Sequence, residues 1–388
     1  MRKTTAWVLG SVALLLLLAG RALAPALLEA RLNRVAVRGA AFRPSPRALA
    51  LHRRLRVADL HADSLAWQRD LLARGSRGQV DVPRLVEGGV ALQVFGVFTQ
   101  TPRHLNVERN DGQSDDVTLL AIAQGWPIAT WSSLEQRALY LAARLHETAV
   151  RSQGRLVELR TGAELHAYLA GRRVPPDSVA AVLGLEGAHA LEGDLGKLDT
   201  LAAAGFRVFG LTHFFDNDWC GSAHGIDKGG LTDKGRELVR RLEAGRLLID
   251  LAHASPRAID DVLAMATRPV LVSHTGVTGT CPGTRNLDDA QLRGVARTGG
   301  LIGIGFWPGA VCGDDAPAIA RAIRHAVDVV GVEHVGLGSD FDGAVTTPFD
   351  AAGLAELTEA LLHQGFSDGE VADLMGENTL RLLERTLP

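Results

Sequence analysis

The sequence predicts an α/β protein built as a (β/α)8 TIM-like barrel, with a helical insertion after its second strand and an apolar export or anchor segment ahead of it. Three observations carry that prediction. Short runs, apolar nearly throughout and often β-branched, recur eight times after about Pro44, as strands buried on both faces should. Amphipathic stretches separate most of them, and alternating strand and helix builds a parallel sheet. Several of the runs end in His, Asp or Glu, and a barrel gathers its strand C-termini at one mouth.

The leader comes first. Arg2 and Lys3 precede an uncharged apolar run of 15 residues, Ala6 to Gly20, which Arg21 interrupts. A full bilayer span needs roughly 20 residues, so the run reads as an export signal. Ala22-Leu23-Ala24 resembles a cleavage site, with Pro25 directly after it. The other reading is an uncleaved anchor over residues 6–28, with Arg21 snorkelling toward the interface. Residues 1–35 are therefore assigned to a signal peptide or signal anchor and 36–388 to a single barrel domain. The barrel is expected on the periplasmic or extracellular face.

The expected strands are Val57-Leu60, Ala91-Phe98, Ala180-Leu185, Val208-Leu211, Leu247-Leu251, Val270-Val272, Leu301-Phe306 and Val335-Leu337. Helical patterns fall at Gly235-Ala244, Pro256-Met265, Leu287-Thr298, Ala316-Val330 and Ala351-His363. The longest interval, 81 residues between Phe98 and Ala180, carries helix-like segments such as Leu134-Val150 and reads as an insertion in one βα-loop. A doubly wound open sheet is the competing architecture, but no G-x-G-x-x-G loop follows the first strand.

Composition narrows the class. The 388 residues are 46% hydrophobic and 22% charged, with a net charge of −3. That balance excludes disorder, a fibrous or disulfide-dense scaffold and a polytopic membrane protein, and gives nucleic acid no basic excess to bind. The three cysteines, Cys220, Cys281 and Cys312, allow one disulfide in an exported chain, and the absence of any C-x-x-C removes the zinc-ribbon and thioredoxin readings.

Chemistry concentrates at the strand ends. His61 and Asp63 stand two residues apart and share a face, Glu186 ends the third strand and His213 follows the fourth. Asp250 and His253 end the fifth strand, His274 the sixth, Asp340 and Asp342 the eighth. Singly, each has a bland alternative: a hydrogen-bonded structural histidine, an aspartate capping a helix, a solvated loop acid. At matching ends of successive strands they read together as a metal site.

Imidazoles with carboxylates suit zinc or a similar borderline divalent ion. His61 and Asp63 can serve one ion and His253 and His274 another. Because Lys occurs only at positions 3, 197, 228 and 234, none ending a strand, Glu186 is the candidate bridge. A bridged pair lowers the pKa of bound water from about 15.7 toward roughly 7, which points to hydrolysis.

In order, DLHADS, LGLEGAHAL, LTHFFDND, LIDLAHAS, VSHTGV, RNLDD and VGLGSDFDG resemble the membrane (renal-type) dipeptidases, zinc peptidases of the amidohydrolase-like barrel superfamily. The resemblance runs from about Val57 to the C-terminus. It implies cleavage of free dipeptides, including those with a C-terminal D-residue, by two Zn2+ per chain and a metal-bridged hydroxide. It implies that His61 and Asp63 bind one zinc, that His253 and His274 bind the second, and that Glu186 bridges them. It gives His213 the task of stabilising the tetrahedral oxyanion, Arg285 the dipeptide carboxylate, and Asp340 the free ammonium and proton handling. A planar guanidinium and a carboxylate are the natural readers of the two chain ends. The resemblance also implies a Cys281–Cys312 disulfide, a free Cys220 and a homodimer, with the membrane met only through the N-terminal segment.

Two departures stand out. The chain ends in Glu-Arg-Thr-Leu-Pro, without the apolar tail of glycolipid-anchored animal members. Gly305-Phe306-Trp307-Pro308-Gly309 lacks the tyrosine that the family places in that loop. Asp59, Asp342 and His189 fit supporting roles behind the ligands, and the 217–224 loop lines the same cleft with no role assigned. Hydrolysis of other small amides such as β-lactams is the nearest alternative. A metal-binding receptor without catalysis is disfavoured because every expected ligand is present.

Overall fold

The structure, a computed structural model, describes residues 23–36, 43–173 and 176–388; the apolar run Ala6 to Gly20 lies outside the described residues. Eight strands form the core: β1 Val57–Ala62, β2 Val90–Phe98, β3 Val179–Glu186, β4 Phe206–Gly210, β5 Leu248–Asp250, β6 Leu271–Thr275, β7 Leu301–Ile304 and β8 Val335–Leu337. Each pairs in parallel with its sequence neighbour, and Leu337 of β8 pairs with Asp59 of β1, closing the barrel. All eight overlap a run expected from the sequence, with limits within three residues of it, because a strand covered on both faces must be apolar throughout.

Alternation along β3 shows how the barrel is filled. Ala180 and Val182 join Leu92, Val94, Val208, Leu248, Leu271 and Leu301 in one buried cluster. Gly184 and Glu186 continue the same face toward the mouth. Leu380, Leu382 and Leu383 of the C-terminal helix Asn378–Thr386 pack on that cluster from the opposite end. The larger cluster lies between the sheet and the outer helices.

The helices start where capping chemistry directs. Ser255 Oγ accepts from Ala258 N at 3.0 Å ahead of Pro256–Met265, with proline at the first helical position. Asp315 caps Ala316–Val330, whose buried Ile319, Ile323 and Ala326 recur at three- and four-residue spacing. The interval between β2 and β3 holds the helices Asp116–Gln124, Leu134–Arg151 and Gly162–Gly171. It also holds a short strand, Leu156–Glu158, parallel to Val179–Ala181. Arg137 ties the insertion to the end of β2, donating to Thr99 O and Thr130 O at 2.6 Å each.

At the N-terminus, a helix over 23–32 leads into the strand Arg34–Val35, which pairs with Thr346–Thr347 beyond β8. No helix among the described residues is long and apolar enough to cross a membrane. A disulfide joins Cys281 and Cys312, linking the loops after β6 and β7, while Cys220 is free and buried.

Candidate functional site

The strand ends converge as the sequence suggested. His61 is the last residue but one of β1 and Asp63 follows the strand, Glu186 ends β3, His274 lies on β6, and His213, His253 and Asp340 stand just beyond β4, β5 and β8. All seven are buried. Glu186 is central: its Oε1 lies 3.0 Å from His253 Nε2, 3.4 Å from His274 Nε2 and 3.6 Å from His213 Nε2. Its Oε2 lies 3.6 Å from His61 Nε2, which is 3.4 Å from Asp63 Oδ1. Gly96 on β2 makes the room, since a Cβ there would stand 2.6 Å from His61 Nε2 and 2.7 Å from Asp63 Oδ1.

The donor atoms fall into three overlapping sets able to hold a cation: His61, Glu186 and His274; Glu186, His213 and His253; His61, Asp63 and Asp340. His61 Nε2, Asp63 Oδ1 and Glu186 Oε2 are buried without a hydrogen-bond partner among the described residues. Buried polar atoms are rarely left so, and three converging on one point fit a divalent ion. Asp63 precedes the short helix Ser64–Ala66 but caps none of its N–H groups, which removes its bland alternative.

Electrostatics agree. Burial pushes His213, His253 and His274 well below the ordinary imidazole value, leaving neutral rings, the form in which a histidine can bind a metal. Burial also opposes charge on His61, but Glu186 and Asp63 beside it outweigh that and raise its pKa well above 6.5. Burial, reinforced by Asp63, raises Glu186 to about 7. A crowd of acids and bases that hold one another's protons is what a cation would displace.

Supporting bonds orient the ring faces. Ser273 Oγ lies 2.9 Å from His274 Nδ1, Gln100 O 3.2 Å from His213 Nδ1, and His224 Nε2 3.0 Å from His253 Nδ1. Asp59 accepts from Ser339 N, Ser339 Oγ and Gln93, locking β1 to β8. Asp342 accepts from Ser64, Gln79 N and Arg69. Both aspartates are held by these partners and belong to none of the three donor sets. His189 stacks near His213 with its ring centroid 6.5 Å away. His224 belongs to the 217–224 loop that sequence reasoning left without a role, and no periodicity marks it.

Arg285 reaches the same cleft from the loop after β6. Its Nη2 donates to His274 O at 2.8 Å, and its Nε has no hydrogen-bond partner among the described residues. Burial lowers its pKa only to about 10, so it stays charged at neutral pH. The cleft has a volume of about 940 Å³, enough for a small ligand, and Trp307 forms part of its wall.

A parallel barrel whose mouth holds a buried, cation-seeking cluster beside a buried guanidinium defines a metal-dependent hydrolase of small molecules. The chain belongs to the membrane dipeptidase family, peptidase family M19, whose model matches residues 45–387. It is accordingly a metallo-dipeptidase, a hydrolase acting on dipeptides. Among relatives, an uncharacterised Klebsiella pneumoniae protein of the pqqA 5′ region is 33% identical over 259 residues, 62% of this chain and 93% of that protein. A Rhodobacter sphaeroides metallopeptidase, solved with a phosphinate mimic of the dipeptide L-Ala-D-Ala, is 26% identical. It aligns with a TM-score of 0.69 over 86% of this chain and 99% of its own. The probable dipeptidase PvdM from Pseudomonas aeruginosa shares the fold at 20% identity, with a TM-score of 0.73 over 88% of this chain and 99% of its own.

Proposed function

We propose that the chain is a two-zinc dipeptidase that reads both ends of a free dipeptide and accepts a D-residue at the C-terminal position. The observation that carries the reading is the convergence of His61 Nε2, Asp63 Oδ1 and Glu186 Oε2, buried and without hydrogen-bond partners among the described residues. In this reading His61 and Asp63 would hold one ion and His253 and His274 the other, with Glu186 available to both. Bound there, zinc supplies an acidified water as nucleophile and a Lewis acid for the scissile carbonyl.

The protein's own groups do the rest. Arg285 offers its guanidinium to the substrate carboxylate, satisfying the Nε that now lacks a partner. Asp340 takes the ammonium and moves protons as the amine leaves. His213 stabilises the oxyanion through Nε2. Its Nδ1 lies 3.2 Å from Gln100 O, which fixes the ring with Nε2 on the Glu186 side. Trp307, whose ring centroid lies 5.9 Å from that of His274, packs against the substrate from the loop where the family resemblance expects a tyrosine.

Support for a C-terminal D-residue comes from the dipeptide mimic bound by the Rhodobacter sphaeroides relative. Export, with residues 6–28 as signal or anchor, and assembly as a homodimer belong to the same reading and rest on sequence and resemblance. The test is hydrolysis of L-Ala-L-Ala and L-Ala-D-Ala beside N-acetyl-L-Ala-L-Ala and an alanine tripeptide. Cleavage of the free dipeptides alone, abolished by chelation and restored by zinc, is expected. No dipeptide cleavage by protein holding two metals would overturn the reading and turn attention to β-lactams and other small amides.

A further inference from the structure

Residues 23–36 precede the family match, which begins at residue 45, yet they pack on the mouth of the barrel. The helix over 23–32 brings Leu28, Arg31 and Leu32 to the wall of the cleft that holds Glu186 and Asp340. Glu29 is 1% exposed, and its two oxygens accept from Arg69 Nη1 and Arg77 Nε at 2.6 Å each. The other terminal nitrogen of Arg69 donates to Val80 O at 2.7 Å and to Asp342 Oδ2. A continuous chain of charge therefore runs from Glu29 to the loop that carries Asp340.

Further contacts land on the same loop. Asn33 Oδ1 accepts from Ala344 N at 2.8 Å. Arg34 N donates to Val345 O at 3.3 Å and Ala36 N to Thr347 O at 2.8 Å. Gln79 gathers both sides, its Nε2 donating to Arg34 O at 2.9 Å and Val345 O at 3.1 Å, and its Oε1 accepting from Asp342 N at 2.6 Å. The loop has reason to be held. Asp340, Asp342 and Ala344 have φ of 60°, 63° and 60°, a left-handed conformation that non-glycine residues keep only where the surroundings over-determine it.

We propose that residues 25–36 are a working part of the catalytic site. Glu29 is a positioning residue that fixes the Asp340 loop through Arg69 and Asp342, Asn33 is its second fastening, and Leu28 and Leu32 close one side of the substrate cleft. The proposal rests on the reading of Asp340 as the group that meets the substrate ammonium. A mature chain beginning at Pro25 keeps every one of these contacts, and one beginning at residue 37 keeps none.

The test uses the full chain and two variants, Glu29→Gln, which keeps the shape and removes the charge, and Asn33→Ala, which removes one fastening and carries the test if the first does not fold. Hydrogen exchange of the 339–347 peptide is expected to rise about tenfold in each, with the barrel strands and zinc content unchanged. For L-Ala-L-Ala, kcat/KM should fall on the order of tenfold, mainly through KM. Preference for the free dipeptide over N-acetyl-L-Ala-L-Ala as an inhibitor should shrink by the same factor. Loop exchange at the wild-type rate would overturn the clamp. Faster loop exchange with unchanged kinetics, or an equal loss toward both ligands tracking a fall in Tm, would leave the segment a structural prop and overturn the proposal. If the wild type cleaves no dipeptide, the functional reading fails separately, and loop exchange still decides the clamp.

Discussion

His224 stands directly behind His253, its Nε2 3.0 Å from the Nδ1 of the latter, while its own Nδ1 lies 2.5 Å from Val107 O. Val107 O can only accept, so His224 donates there and must accept from His253. That relay places the His253 proton on Nδ1 and turns the Nε2 lone pair toward Glu186. His253 itself sits at φ 64°, a strained position that the 217–224 loop helps to hold through Ala223 N donating to His253 O at 2.8 Å.

Replacing His224 with Ala should therefore weaken metal binding about 10- to 100-fold, the usual cost of losing a ligand's supporting partner. Competition with a chelator of known affinity measures it. Affinity unchanged from wild type would remove His224 from the centre.

Glu186→Gln leaves the shape and removes the charge shared by the imidazoles around it. Metal content measured by elemental analysis should fall below the wild-type value, and kcat for dipeptides should fall by more than about 100-fold, beyond what a supporting residue costs. Full metal content with near-normal kcat would exclude a bridging role.

Burial pushes His189 from its ordinary 6.5 down to about 4. The unfolded chain takes up this proton first, so the residue's contribution to stability is whole above pH 6.5 and is lost as pH falls toward about 4. Thermal melts of metal-free wild type and His189→Leu isolate that group. Their difference in Tm should be flat above pH 6.5 and move in the variant's favour on acidification, and a difference independent of pH would contradict the sign.

The Cys281–Cys312 bond closes a loop with a sequence separation of 31, and that stretch carries both Arg285 and Trp307. Chain entropy puts the cost of opening such a loop at about 3–4 kcal/mol. The double Cys→Ala variant should melt lower and show a raised KM for dipeptides. A lower Tm with KM unchanged would assign the bond to stability alone.

Much of this was legible in advance because burial leaves a mark on sequence. Strands covered on both faces are apolar throughout, and a His or Asp that ends such a run is conspicuous. The helix Pro256–Met265 matches its expected limits because Ser255 and Pro256 announce its start. Three features were not legible. The strand Leu156–Glu158 is three residues long, one buried and two partly buried, so it is too short to leave an alternation to read. His224 works from an irregular loop, where spacing predicts nothing. Glu29 looks like one more leader-proximal acid, because its partners Arg69 and Asp342 are remote in sequence. The gathering of the strand-end acids and histidines at one mouth was foreseen, and Gly96, which makes space for His61 and Asp63, was foreseen only as part of a strand.

The leucines of the C-terminal helix stopper the barrel from below. Among the described residues the floor of the chamber is filled, and the cleft at the strand C-termini serves as both entrance and exit. Both amino-acid products share that exit with the next incoming dipeptide, so turnover is tied to traffic at the rim as much as to bond breaking within.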